Sequence, residues 1–296
     1  MIEYKNKKIA ITGYRGYIGS ALHNRLKKYD CDVTCVQIDI SKSEEVSEFF
    51  KNKDFDILFH LAASPVPYTI GKEQKTSDIL LEREVNSSCI LYLHKVLKNT
   101  KVVFLSSTNV FGDVGVDIVD ENTEDNPQSL WASHKILAEN YLNILFEDSI
   151  CLRIPNIYGI DDVNFQSNYL KPIINKVINL GLKNKKLTLY KNKSCFRDYI
   201  HIYDIIDAIL MAGLFKGNKK YYVLGCNEKT TISDVWNIIS ENLHNTPIEY
   251  NNKDLNMMET RSYTADYKMF NNLTGWYPKF NIKDGICDTI SKLGEK

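Results

Sequence analysis

The sequence predicts an α/β fold: a doubly wound parallel sheet followed by a smaller C-terminal α/β lobe. Three observations lead there. Short, nearly all-apolar, β-branched runs alternate with helical periodicities through the first half of the chain. A glycine-spaced turn joins the first of these runs to the first helix. After residue 160 the loops lengthen and become rich in Asn and Lys, and the strands shorten. Strands that are apolar on both faces need helices on both faces, which is the arrangement of a parallel sheet.

The elements follow in order. KIAIT (8–12) reads as a buried strand, and Ile18, Leu22, Leu26 and Tyr29 then fall on one helical stripe. DVTCVQI (32–38) is the second strand, and SKSEEVSEFF (41–50) a helix with a serine cap. DILFHLA (56–62) precedes a long helix over 76–98, and KVVFLS (101–106) precedes a helix over 130–146. SICLRI (149–154) closes this series, after which LTLY (187–190) and PIEY (247–250) are short strands. The expected division is a first domain of 1–160 with a returning segment 198–224, and a second lobe of 161–197 and 225–296.

Bulk composition narrows the class. A chain of 296 residues, 44% hydrophobic and 25% charged, builds one or two ordinary globular domains. Lys+Arg and Asp+Glu balance at 37 each, which removes the electrostatic footprint of a nucleic-acid binder. The run Lys183-Asn184-Lys185-Lys186 reads as a solvated loop. No apolar run approaches the roughly 18–20 residues of a membrane span, and MIEYKNKKIAIT enters a strand without a signal segment. Seven cysteines, without a C-x-x-C pair, point to free thiols in a reducing, cytoplasmic setting. The six histidines are scattered without metal-ligand spacing, so no metal is expected.

Thr12-Gly13-Tyr14-Arg15-Gly16-Tyr17-Ile18-Gly19 lies between the first strand and helix. Its glycines permit a tight turn, close approach of a pyrophosphate and tight helix–strand packing. The helix N-terminus offers free N–H groups and a positive dipole to the anion. Gly13, Arg15, Gly16, Tyr17, Ile18 and Gly19 are therefore candidate dinucleotide-binding residues on a Rossmann-type sheet. Arg15 reads as a solvated charge or as a clamp for the 2′-phosphate of NADP. An NAD site wants an acid at the end of the second strand. Here that strand ends near Gln37, and Asp39-Ile40 begins the next segment and meets the adenine. Together these features favour NADP(H) over NAD(H).

The loop resembles the T-G-x-x-G-x-x-G of the extended short-chain dehydrogenase/reductase family, the nucleotide-sugar epimerases, dehydratases and ketoreductases. His60-Leu61-Ala62-Ala63 resembles its cofactor-lining H-x-A-A, and Asn86 sits where its helix-four asparagine is expected. Leu105-Ser106-Ser107-Thr108-Asn109-Val110-Phe111-Gly112 resembles S-S-x-x-V-Y-G, which implies Ser107 as the catalytic serine. Asn126-Pro127-Gln128-Ser129 resembles the segment before Y-x-x-x-K. Arg153-Ile154-Pro155-Asn156-Ile157-Tyr158-Gly159 resembles R-x-x-N-V-Y-G, and Arg197-Asp198-Tyr199-Ile200-His201 resembles R-D-[FY]-I-H. Leu273-Thr274-Gly275-Trp276-Tyr277-Pro278 is similar to the C-terminal L-G-W-x-P.

The resemblance implies cofactor contacts from Leu61, Ala62, Ala63, Asn86, Lys135 and Pro155. It implies substrate contacts from Ser107, Thr108, Asn109, Asn156 and Arg197, with Arg261 as a second, loosely spaced clamp. A nucleotide-sugar substrate, bound in a cleft between the lobes, and a homodimer paired through the helices at 76–98 and 130–146 are implied in the same way. The departure is in QSLWASHKILAE (128–139): the lysine is present as Lys135, but the catalytic tyrosine is Trp131. An indole N–H is a donor only and cannot act as general acid or base. His134, Tyr158, Tyr169, Tyr68 or a water remain as proton sources, with core packing as the alternative for each tyrosine and a solvent-facing position for His134. The positions after Ser107, where dehydratases carry carboxylic acids, are Thr108 and Asn109. Elimination is thereby disfavoured, and so is C3/C5 epimerisation. Three functions stay open: a 4-ketoreductase, a 4-epimerase, and a catalytically silent binder.

Overall fold

The computed structural model describes residues 3–64, 75–97, 99–161, 172–190, 195–243, 248–251 and 262–294. In chain order, β1 (Lys8–Thr12), α1 (Tyr17–Leu26), β2 (Asp32–Cys35), α2 (Ser43–Phe50) and β3 (Ile57–His60) come first. Next are α3 (Thr76–Arg83), a π-helical turn (Glu84–Ser88), α4 (Cys89–Val96), β4 (Lys101–Ser107), β5 (Ile118–Val119), α5 (Leu130–Leu145) and β6 (Ser149–Ile154). The remainder opens with β7 (Asn156–Tyr158), α6 (Ile173–Leu182), β8 (Leu187–Tyr190), β9 (Phe196–Arg197), β10 (Tyr199–His201) and α7 (Ile202–Leu214). It continues through β11 (Tyr222–Val223), β12 (Thr230–Thr231), α8 (Ile232–Leu243), β13 (Ile248–Asn251) and β14 (Thr264–Ala265). Helices Lys268–Thr274 and Ile282–Gly294 end it.

The main sheet has six strands in the order β11-β6-β4-β3-β1-β2. β1 pairs in parallel with β2 and β3, and β3 with β4. The strand order therefore turns between β1 and β3, which is the switch point where open α/β sheets bind ligands at their carboxyl ends. β3 and β4 are buried along their whole length, as strands covered on both faces must be. Phe50, Leu58, Ile90, Leu93, Phe104 and Leu142 pack into one apolar core beneath the helices.

Two compact units result. The first holds 1–110, 127–153 and 209–222; the second holds 111–126, 154–208 and 223–296. The sequence-based division runs differently, since 111–126, 154–160 and 198–208 cluster with the second unit. That unit has its own core, built on Ile174, Ile178, Val235, Trp236, Ile239 and Ile286.

Four local expectations are corrected. The second strand stops at Cys35 rather than Ile38, because its partner β1 ends at Thr12 and the chain turns away at Gly13. Tyr29 lies beyond the last helical residue of α1, Leu26. No serine caps α2: Lys42 precedes it without a side-chain bond, and the Ser41 hydroxyl instead donates to Asp39 Oδ1 at 2.6 Å. The long helix over 76–98 is broken by the π-helical turn, a feature that recurs at functional sites. A serine does cap α5, with Ser129 Oγ accepting from Ala132 N at 3.1 Å. Among the described residues no helix is long and apolar enough to cross a membrane.

Candidate active site

The glycine loop is shaped by backbone constraints that admit no side chain. Gly13 has φ +68°, and a Cβ there would lie 2.7 Å from Ala62 N and from the Leu61 carbonyl. A Cβ at Gly19 would lie 2.2 Å from Gly13 O. Gly16 caps α1 in an extended conformation without any side-chain bond. The start of α1 is thus left clear for an incoming anion.

Thr12 ties this loop to the end of β3. Its Oγ1 accepts from Leu61 N at 3.1 Å and Ala62 N at 3.2 Å, and bonds His60 Nδ1 at 2.8 Å. With both N–H groups donating to it, the hydroxyl gives its own proton to Nδ1. His60 Nε2–H then faces Cys89 Sγ at 3.4 Å. Burial, aided by the Lys135 charge, pushes His60 down to about 3, so it is neutral. In the sequence Thr12 and His60 stand only as parts of the glycine-loop and H-x-A-A motifs; their place at facing strand ends is the signal for this contact.

Asn86 sits in the π-helical turn, fully buried. Its Oδ1 accepts from Ser64 N at 3.0 Å, while its Nδ2 has no hydrogen-bond partner. A glycine cradle and an unanswered buried donor fit a dinucleotide cofactor, whose phosphates and ribose offer acceptors.

The chemistry-bearing groups meet at the end of β4. Ser107 is nearly buried and its Oγ accepts from Asn109 N at 3.1 Å. Thr108 is buried beside it, and the Ser106 hydroxyl is buried without a partner. Lys135, on α5, donates from Nζ to Leu105 O at 2.9 Å. Its ammonium lies 4.5 Å from the Phe104 ring centroid and 5.7 Å from that of Trp131. Burial pushes the lysine down to about 8, against the opposing pull of Cys89, Glu139 and Cys151. Trp131 is half-buried, one turn before it.

Other expected residues stand apart. Arg15 is exposed, with Nε donating to Tyr14 Oη at 2.7 Å. Tyr17 and Ile18 open α1 half-buried, Ala63 is exposed and Ile40 is buried. Asp39 is exposed, and its Oδ1 accepts from Ser41 N and Oγ, which with the nearby Lys42 holds it below the usual carboxylate range. Pro155, Asn156 and Arg197 belong to the second unit. There Tyr199 pairs with Asn156, and Arg197 Nη1 donates to Phe196 O at 3.0 Å. Arg261, Tyr68 and Tyr169 lie outside the described residues. His134 is not solvent-facing: its Nδ1 lies 3.2 Å from Oε1 of the buried Glu82. Tyr158 is a core residue of the second unit, donating to Asn281 O at 3.4 Å.

Known proteins are similar to this chain. The chain is 30% identical over 251 residues to UDP-glucose 4-epimerase of Mycoplasma pneumoniae, covering 72% of each. It is 22% identical over 317 residues to dTDP-4-dehydro-6-deoxyglucose reductase of Escherichia coli, covering 96% of this chain and 97% of that one. In fold it is similar to ADP-L-glycero-D-manno-heptose-6-epimerase of Helicobacter pylori, with a TM-score of 0.83, 18% identity and coverage of 99% and 98%. The profile of the NAD dependent epimerase/dehydratase family matches residues 9–225. The switch-point glycine loop, the lysine on α5 and this match over most of the chain make the protein a member of that family, the extended short-chain dehydrogenase/reductase type.

Proposed function

We propose that the protein is an NADP(H)-dependent ketoreductase acting on a 4-keto (deoxy)sugar nucleotide. The observation that carries this reading is the cluster at the end of β4, where Ser107 is followed by Thr108 and Asn109, and Lys135 is buried beside it. No carboxylate stands at 108 or 109 to drive elimination, whereas a serine and a lysine suffice to polarise a carbonyl. Asn109 N fixes the Ser107 oxygen, so the hydroxyl proton is left to point at a substrate oxygen. A bound reduced nicotinamide supplies the two electrons and the hydrogen at carbon. Lys135 and Asn86 hold its ribose side, and the 13–19 loop its pyrophosphate. Asn156 and Arg197 are assigned to the substrate diphosphate. Similarity to the E. coli dTDP-4-dehydro-6-deoxyglucose reductase supports the same substrate class.

Incubation with NADPH and a panel of nucleotide 4-keto-6-deoxysugars tests the reading. The expected result is a new nucleotide alcohol, resolved by chromatography, in step with NADPH oxidation. A C4 isomer formed without net oxidation would make the protein an epimerase. No product with any panel member would leave a silent cofactor binder, the reading that Trp131 favours.

The NADP preference rests on Arg15 in the loop and on the absence of a free acid just beyond β2, where Gln37 is exposed and the Asp39 carboxylate is engaged by Ser41. By calorimetry, Arg15→Ala is expected to weaken NADPH binding about tenfold or more, the scale of one charge-assisted bond, and to leave NADH affinity nearly unchanged. An unaltered preference would remove Arg15 from the role.

A cytoplasmic homodimer completes the reading. None of the seven cysteines forms a disulfide, as suits a reducing compartment. α3, α4 and α5 present Leu80, Leu81, Leu91 and Ile144 to solvent at 45%, 41%, 36% and 80% exposure, apolar positions that a second copy would cover. Sedimentation equilibrium is expected to give twice 34.1 kDa, and Leu81→Glu with Ile144→Glu to give the monomer. A monomeric wild type would exclude the pairing.

A further inference from the structure

We infer that Lys135 is the proton donor of this site, passing a proton from Nζ to the oxygen of the carbonyl as it is reduced. The inference rests on the reductase reading above and deepens it, because that reading lacks the group that takes the tyrosine's part.

Other candidate donors among the described residues are engaged elsewhere or do not titrate in range. The Trp131 indole does not titrate in a useful range. His60 is engaged at both nitrogens, by Thr12 and Cys89, and is neutral. His134 turns to Glu82 on α3, whereas Lys135 on the same helix turns to β4. Burial pushes the Cys89 thiol up to about 12. Tyr158, in the second unit, is wedged so closely against Gly285 that a Cβ there would lie 2.0 Å from its hydroxyl, and burial raises its pKa further.

Lys135 has the opposite disposition. One of its three N–H bonds goes to Leu105 O, and among the described residues no other hydrogen bond from Nζ is found, which leaves one N–H for the cofactor ribose and one for the carbonyl. The Phe104 and Trp131 rings flank the ammonium without accepting a strong bond from it. Leu105 and Ser107 are alternate residues of β4, so they share a face and lie roughly 6.6 Å apart along the strand. The lysine is thus anchored one strand repeat from the serine that orients the carbonyl. Burial also lowers the cost of losing its charge, which brings it to about 8, the range in which a general acid is effective.

The step balances as follows. The carbonyl carbon gains a hydrogen and two electrons from a reduced nicotinamide, which is oxidised. The C=O π pair moves to oxygen, an N–H bond of Lys135 breaks with its pair left on nitrogen, and an O–H bond forms. Solvent then returns a proton to the neutral amine.

Three measurements decide the matter. With wild type, kcat for reduction is expected to fall tenfold per pH unit above the lysine's titration. 15N NMR of Lys135 Nζ in the apo protein is expected to titrate near 8. Lys135→Arg keeps the charge and the donors but releases no proton in this range. At saturating NADPH, which separates any change in the ribose contact from the chemical step, it is expected to lower kcat about a hundredfold or more and to flatten the pH profile. A flat wild-type profile between about pH 7 and 10, a titration above about 10, or an arginine variant with more than about a tenth of the activity would each overturn the assignment alone. A wild type inactive on the whole panel would overturn the reductase reading and this assignment with it. If the arginine variant does not fold, the NMR titration and the wild-type profile still decide.

Discussion

Replacing Glu139 with alanine is expected to lower the stability of the apo protein by roughly 3–5 kcal/mol, the cost of leaving one partner of a buried ion pair behind. Glu139 Oε1 accepts from Arg153 Nε at 3.0 Å and Oε2 from Nη2 at 2.7 Å, and both side chains are at 0% exposure. The guanidinium also lies over the Tyr221 ring, 3.4 Å from its centroid. Truncating the carboxylate strands this charge in the core between α5 and β6. A double variant, Glu139→Leu with Arg153→Met, should recover most of the loss, because apolar pairs of similar volume replace buried ion pairs at little cost. Urea midpoints of the two variants measure both effects. A midpoint shift worth less than about 1 kcal/mol in Glu139→Ala would show that the pair is not what holds this junction. There is a functional consequence too. Glu139 raises the Lys135 pKa, so its removal should move the lysine's titration to lower pH.

The second large effect is expected at Gly13. Alanine there must adopt φ +68° and place its Cβ 2.7 Å from the backbone at Leu61 and Ala62. The conformational strain alone is roughly 1–3 kcal/mol, and the clash adds to it by forcing the loop away from β3. Cofactor affinity should fall about ten- to a hundredfold, the equivalent of that energy if it is all expressed in binding. Gly275→Ala serves as the control. It has a similar φ of +76°, but nothing lies within 4 Å of the added Cβ. It should lower stability modestly and leave NADPH binding intact. Equal losses of affinity in both variants, measured by calorimetry, would mean that general destabilisation and not the loop geometry is responsible.

Much of the first unit was legible because its determinants are local. The strands at 8–12, 57–60 and 101–107 are continuous apolar runs, and a run buried on both faces announces itself whatever it packs against. The glycine spacing of 13–19 was readable for a similar reason, since Gly13 takes a positive φ and a Cβ at Gly19 would strike the Gly13 carbonyl. Where interpretation failed, a non-local partner decided. DVTCVQI has strand character to its end, but hydrogen bonds stop where β1 turns at Gly13. Ser41 is a good cap by type, yet a carboxylate two residues earlier takes its hydroxyl. The helical periodicity of 76–98 survives a single π-helical turn, so the pattern could not reveal that Asn86 is displaced there with an unanswered amide. His134 appears solvent-facing from α5 alone, and only α3, bringing Glu82 from 52 positions away, buries it.

The sequence by itself determined the doubly wound sheet, the dinucleotide loop, the family resemblance and the absence of the expected tyrosine at 131. These follow from side-chain type, periodicity and spacing, which require no knowledge of what lies across the molecule. Tertiary structure alone decided the state of Lys135. Its type promises an ordinary surface ammonium; its burial under Phe104 and Trp131, with one carbonyl for a partner, makes it an acid near neutrality. The physical reason is that charge stabilisation is set by the surroundings: removing water from around an ammonium costs more than one carbonyl and two ring faces return.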